Sequence, residues 1–157
     1  DPGENSGGSV GLVGGLKPFE RFSKGVLMKT IIQKIKFKAS PKALFEMYMD
    51  EKKHGQITQS KALVSRREGG SYSVHGGYIK GRNLRVKTGE MIVQTWRAAD
   101  WAKKDRDSIL VLAFEAVKGG SLVTMVQANV PDRHAGHLTK GWKDHYWKPW
   151  AKYLKDR

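Results

Sequence analysis

Three histidines crowd the C-terminal part of the chain, His134, His137 and His145. A zinc site would need them to converge, with a fourth ligand such as Asp132. On a helix their spacings of 3 and 8 spread them over about 16 Å. One ion cannot reach all three, so no metal is expected. Acid–base catalysis would need a pair of titratable groups in a pocket. Glu68, Glu90, Asp105 and Asp107 fall in turn-like or charged stretches, and the better-placed carboxylates are Glu46 and Glu115. The sequence has no G-x-x-x-x-G-K-[ST] phosphate loop, no G-x-G-x-x-G and no H-E-x-x-H. It has no cysteine, which excludes a disulfide framework, a thiolate metal site and a cysteine nucleophile. A non-catalytic protein without a cofactor is the expectation.

Residues suited to binding are more prominent. Trp142, Tyr146, Trp147, Trp150 and Tyr153 lie within one short stretch. At 100° per residue Leu138, Trp142, Tyr146, Pro149 and Tyr153 share one helical face, the pattern of core packing. Trp147 and Leu154 fall off that stripe and Trp150 at its edge. With Lys143 they form a candidate partner surface, or else a cover for a sheet rim. Net charge is +14, from 29 Lys and Arg against 15 Asp and Glu. Such a balance invites a polyanion. The basic run Lys80, Arg82, Arg85, Lys87 has no free aromatics beside it to stack on bases, so nucleic acid is not expected and solvated charge is.

The elements that must position these residues follow from patterning. Thr30–Phe37 alternates, with Ile31, Gln33, Ile35 and Phe37 on one face and lysines on the other, as in a half-buried antiparallel strand. Ser40-Pro41 opens a helix to about Met49, and Asp50 caps a second short one ending near Gly55. Strands are expected at Ala62–Arg66, Ser71–His75, Tyr78–Val86, Met91–Arg97, Ser108–Val117 and Leu122–Val130, divided by glycine turns. Pro131-Asp132 begins a long amphipathic helix to about Tyr153, with a kink expected at Pro149. The only large apolar helix is the last, so the economical α+β architecture is a curved antiparallel sheet of about six to seven strands wrapped around it. Such a grip leaves a cavity for a small molecule.

Residues 1–15 hold six of the 18 glycines, and residues 1–27 carry three acidic against three basic side chains. The whole net charge therefore belongs to 28–157. A glycine-rich stretch with little to bury does not offset its ordering entropy. Residues 1–27 are expected to be a flexible leader, not necessarily native, with Met28 as the expected natural start of a single domain over 28–157. The leader lacks a basic start and an apolar core, so it does not read as a signal peptide. No apolar run is long enough to span a bilayer, and a cytoplasmic location is expected.

The runs GGSYSVHGGYIKG, GEMIVQTWRAADW, ILVLAF, TMVQANVP and GWKDHYWKPWAKYL resemble, in order, the C-terminal domain of the activators of the heat-shock protein 90 ATPase (Aha-type), of the START-like or SRPBCC superfamily. The similarity covers about residues 29–155. It rests on Ile92, Val93, Trp96, Arg97 and Trp101 together with the late GW-x-x-x-YW. The resemblance implies the helix-grip (START-like, pollen-allergen-like) fold. By matching relatives it turns Leu110, Leu112 and Phe114 inward, and points Gln94, Trp96, Val123, Met125 and Gln127 at the grip helix. The expected cavity lining is then Gln33, Phe45, Gln94, Trp96, Leu110, Leu112, Phe114, Val123, Met125, Gln127, Leu138, Trp142 and Tyr146. Its three glutamines either orient a ligand or bond one another or water. Where relatives are apolar in the second short helix, this chain has Lys53, His54 and then Gly55, which predicts a weaker lid. No stretch of it resembles the further N-terminal domain of the eukaryotic activators.

Three functions follow as expectations. The first is a hydrophobic small molecule, lipid-like or aromatic, held in the cavity. The second is a co-chaperone-like role on a heat-shock protein 90 relative or another acidic protein, favoured by the basic surface. The third is a cyclase or hydrolase of the same superfamily, which needs a titratable cavity residue.

Overall fold

The computed structural model describes residues 27–157. The leader expected over 1–27 falls, apart from Leu27, outside the described residues. Strand β1 (Met28–Phe37) buries Ile31 and Phe37 and exposes Lys34 and Lys36. Ser40 then caps helix α1 (Pro41–Met49), its hydroxyl accepting from the Ala43 N–H. Asp50 does the same for α2 (Glu51–Thr58) through the Lys53 N–H. This second helix continues past Gly55, because Gln59 adopts a left-handed φ of 57° and returns its N–H to the Gly55 carbonyl.

Five further strands follow a short one, β2 (Leu63–Val64). They are β3 (Ser71–Val74), β4 (Ile79–Lys87), β5 (Met91–Ala98), β6 (Ser108–Val117) and β7 (Gly120–Pro131). All pairs are antiparallel, in the order β1-β7-β6-β5-β4-β3-β2. Strand β2 is shorter than Ala62–Arg66. The Asn83 amide donates to the carbonyls of Ser65 and Arg67 at 2.8 and 3.0 Å, which diverts that segment from the ladder. A bulge in β4, between the pairs Asn83↔Gln94 and Arg85↔Val93, leaves Leu84 exposed and turns Asn83 into the core.

The chain closes with α3 (Asp132–Trp142), one π turn (Lys143–Trp147) and α4 (Lys148–Lys155). The kink expected at Pro149 takes the form of that π turn. Proline has no N–H and crowds the carbonyl four residues back. The helix widens just before it, and the Lys148 N–H bonds the Lys143 carbonyl five residues away. Widening shifts the register of everything beyond it and corrects the expected partner surface. Trp147 and Trp150 are buried: Trp147 stacks on Trp142 at a ring-centroid distance of 5.5 Å, and Trp150 packs tilted against Phe37 at 5.6 Å. Leu154 packs half-buried on the core, and only Lys143 of the four is exposed.

Candidate functional site

Sheet and helix meet over two different kinds of interior. Beneath α1, the side chains of Phe45, Leu110, Leu112, Phe114, Val123 and Met125 are all buried and pack as a filled core. A cavity of about 350 Å³ opens instead near β4 and β5, beside the middle of the C-terminal helix. Ile79 and Trp96 line it from the sheet, Leu138, Trp142 and Tyr146 from the helix, and His75 and Tyr78 from the turn before β4. His137, Lys140, Asp144 and His145 also border it; Lys140 and Asp144 pair with each other. Of the expected lining, Trp96, Leu138, Trp142 and Tyr146 border this space. Phe45, Gln94, Leu110, Leu112, Phe114, Val123, Met125 and Gln127 lie in the packed interior, and Gln33 on β1.

The three glutamines are all partnered. Trp147 Nε1–H donates to Gln33 Oε1 at 2.6 Å, and Gln33 Nε2 donates to the Thr139 carbonyl at 3.0 Å. Trp142 Nε1–H donates to Gln127 Oε1 at 2.8 Å, and Gln127 Nε2 to Ser108 Oγ at 3.1 Å. Tyr48 O–H donates to Gln94 Oε1, and Gln94 Nε2 to Asn83 Oδ1, both at 2.9 Å. They bond neither one another nor a free space. Two of them fasten the grip helix to the sheet.

A third fastening ties Tyr146 to His54 and His75, neither of which was expected in the cavity lining. His54, on α2, is buried. Its Nδ1 meets the Tyr48 carbonyl at 2.8 Å and its Nε2 meets the Tyr146 hydroxyl at 2.9 Å. The same hydroxyl meets His75 Nε2 at 2.9 Å. The lid that Lys53, His54 and Gly55 were expected to weaken is therefore tied down by His54. Burial lowers the His54 pKa to about 4, and the Tyr48 carbonyl opposes this only in part. Burial and then neighbouring His145 lower that of His75. Burial raises the Tyr48 and Tyr146 phenols above their usual range. A signal for His54 was present: it falls on the same helical face as Ile57, the other buried residue of α2.

The carboxylates considered for catalysis do not border the cavity. Glu46 is held by both guanidinium nitrogens of Arg66, at 2.9 and 2.8 Å, and that pairing lowers its pKa. Glu115 is exposed on β6. Among the described residues no group of three or more His, Asp or Glu is arranged to hold a metal ion. None of the described helices is long and apolar enough to cross a membrane.

A seven-stranded antiparallel sheet curved around a C-terminal helix, with two short helices after the first strand, is the START-like helix-grip architecture. The family model described as "Activator of Hsp90 ATPase homolog 1-like protein" matches residues 38–155, and the chain belongs to that family. An "Activator of 90 kDa heat shock protein ATPase homolog" from Dictyostelium discoideum is 31% identical over 115 residues. That match takes in 73% of this chain and 30% of the relative, so the chain spans under a third of that protein's length. Among solved structures, an HSP90 activator from Plasmodium falciparum superposes with a TM-score of 0.74 at 21% identity, covering 80% of this chain and 96% of that one. A protein from Mesorhizobium loti gives 0.72 at 15% identity, covering 82% and 98%.

Proposed function

We propose that this chain is a non-catalytic binding domain that takes a hydrophobic small molecule between its sheet and its C-terminal helix. The observation that carries the reading is the cavity of about 350 Å³ walled by Ile79, Trp96, Leu138 and Trp142. Its volume lies at the lower end of small-molecule sites, which are mostly apolar with a few polar groups. Burial of apolar surface at about 25 cal/mol per Å² supplies the affinity. The test is an NMR screen of lipid-like and aromatic compounds. Saturable shifts centred on Trp96 and Trp142 are expected, and their absence across the screen would overturn the reading.

A second reading rests on family membership and the relative from Dictyostelium discoideum. In it the domain binds and stimulates a heat-shock protein 90 ATPase, its +14 charge steering it to an acidic face. The expected sign is a stimulated ATPase rate that falls as salt rises. No stimulation at low salt would dispose of it. Cyclase or hydrolase chemistry has less support, because Glu46 and Glu115 stand away from the cavity.

A further inference from the structure

The hydrogen bonds along the cavity wall have only one consistent direction. A backbone carbonyl can only accept, so His54 Nδ1 carries the proton toward the Tyr48 carbonyl. A neutral His54 then offers a lone pair at Nε2, and the Tyr146 hydroxyl donates to it. That hydroxyl has a single proton, so its oxygen accepts from His75, whose Nε2 must carry the hydrogen. A neutral His75 is left with a bare lone pair on Nδ1. Among the described residues that atom takes no hydrogen bond, and it is not one of the buried unpartnered atoms, so it keeps access to solvent. One carbonyl on α1 thus sets the tautomer of a histidine two hydrogen bonds away.

The backbone holds that histidine with some strain. His75 has a φ of 54°, in the left-handed region, and Gly76 and Gly77 follow at 66° and 96°. Such conformations are costly for a residue with a Cβ and concentrate at ligand clamps. Here the strain presents a half-buried ring to the cavity next to Trp96, Trp142 and Tyr146. Other polar groups there are committed or exposed: Lys140 and Asp144 pair together, and His137 and His145 are exposed.

Resting on the cavity reading above, we propose that the ligand is a flat apolar molecule bearing one hydroxyl, which donates its hydrogen to His75 Nδ1 while the rest of the molecule lies against Trp96 and Trp142. His75 is a specificity determinant that accepts only, so it selects alcohols and phenols over their ethers.

The experiment compares 2-naphthol with 2-methoxynaphthalene on the whole chain, read by NMR with 15N-labelled histidine. 2-Naphthol is expected to bind about tenfold more tightly, the worth of one good hydrogen bond, and to move the His75 Nδ1 resonance, which the ether leaves in place. In His75→Asn, whose side chain tolerates the left-handed backbone but is shorter, that preference is expected to vanish while both probes still bind. If this variant fails to fold, the 15N spectrum of the unaltered protein decides, since a His75 protonated on Nδ1 overturns the proposal. Equal affinity for the two probes, with shifts at Trp96 and Trp142, overturns the hydroxyl preference and leaves the cavity reading standing. Binding of neither probe overturns the proposal, and the cavity reading is then decided by the wider screen described above.

Discussion

The Tyr146 hydroxyl lies 2.9 Å from His54 Nε2, which joins the middle of the grip helix to the second short helix across 92 residues of sequence. Neither ring can change its protonation without disturbing the other. Stability should therefore depend on pH on the acid side. The unfolded chain protonates His54 near 6.5, the folded chain only near 4. The unfolded state thus binds more protons between these values. The contribution is complete above pH 6.5 and is lost as pH falls toward 4, by on the order of 3 kcal/mol. Urea unfolding at pH 7.5 and at pH 4.5 measures it. His54→Asn, which keeps a donor for the Tyr48 carbonyl and does not titrate, should flatten the difference.

Tyr146→Phe should cost about 1–3 kcal/mol, because it leaves buried His54 Nε2 without its donor and His75 Nε2 without its acceptor. The loss should appear as a lower urea midpoint with an unchanged denaturant slope.

Gln127→Leu keeps the volume near Trp142 but removes the acceptor of its indole N–H. A penalty of about 1–3 kcal/mol is expected for the orphaned donor. Combining it with Trp142→Phe should cost less than the sum of the single changes, since both act on one bond. Strict additivity in that double-mutant cycle would show that Gln127 contributes by packing alone.

Two glycines should respond in opposite directions. A Cβ on Gly81 would sit 1.9 Å from the Thr95 carbonyl oxygen and 2.8 Å from the Tyr72 ring. Gly81→Ala must push β4 and β5 apart, and a large loss of thermal stability or of soluble protein is expected. A Cβ on Gly136 meets nothing within 4 Å, in an exposed turn of α3. Gly136→Ala should raise stability by about 0.5–1 kcal/mol. Thermal melts of the two variants check both signs.

Much of the architecture was legible along the chain because it is local. Alternation in β1, the Ser40-Pro41 cap, the glycine turns and the apolar stripe through Leu138, Trp142 and Tyr146 each depend on neighbours a few residues away. The inward turn of Leu110, Leu112 and Phe114 came from resemblance to relatives, and burial agrees with it. Periodicity misplaced Trp147 and Trp150, because a 100° wheel assumes a uniform helix and the π turn before Pro149 breaks that assumption. The candidate site was half legible. Leu138, Trp142 and Tyr146 followed from facing and Trp96 from resemblance to relatives, whereas His54 and His75 lie on a helix and a turn whose distance from Tyr146 no local pattern encodes.

The residues by themselves thus determined the element types, the fold they build and a basic exterior, since caps, periods and charges act at short range. Only the tertiary structure decided which polar groups the interior satisfies. Gln33, Gln94 and Gln127 could have faced a ligand, but Trp147, Tyr48 and Trp142 reached them first. His75 keeps an acceptor at Nδ1, because a carbonyl on another element fixes which of its two nitrogens holds the proton.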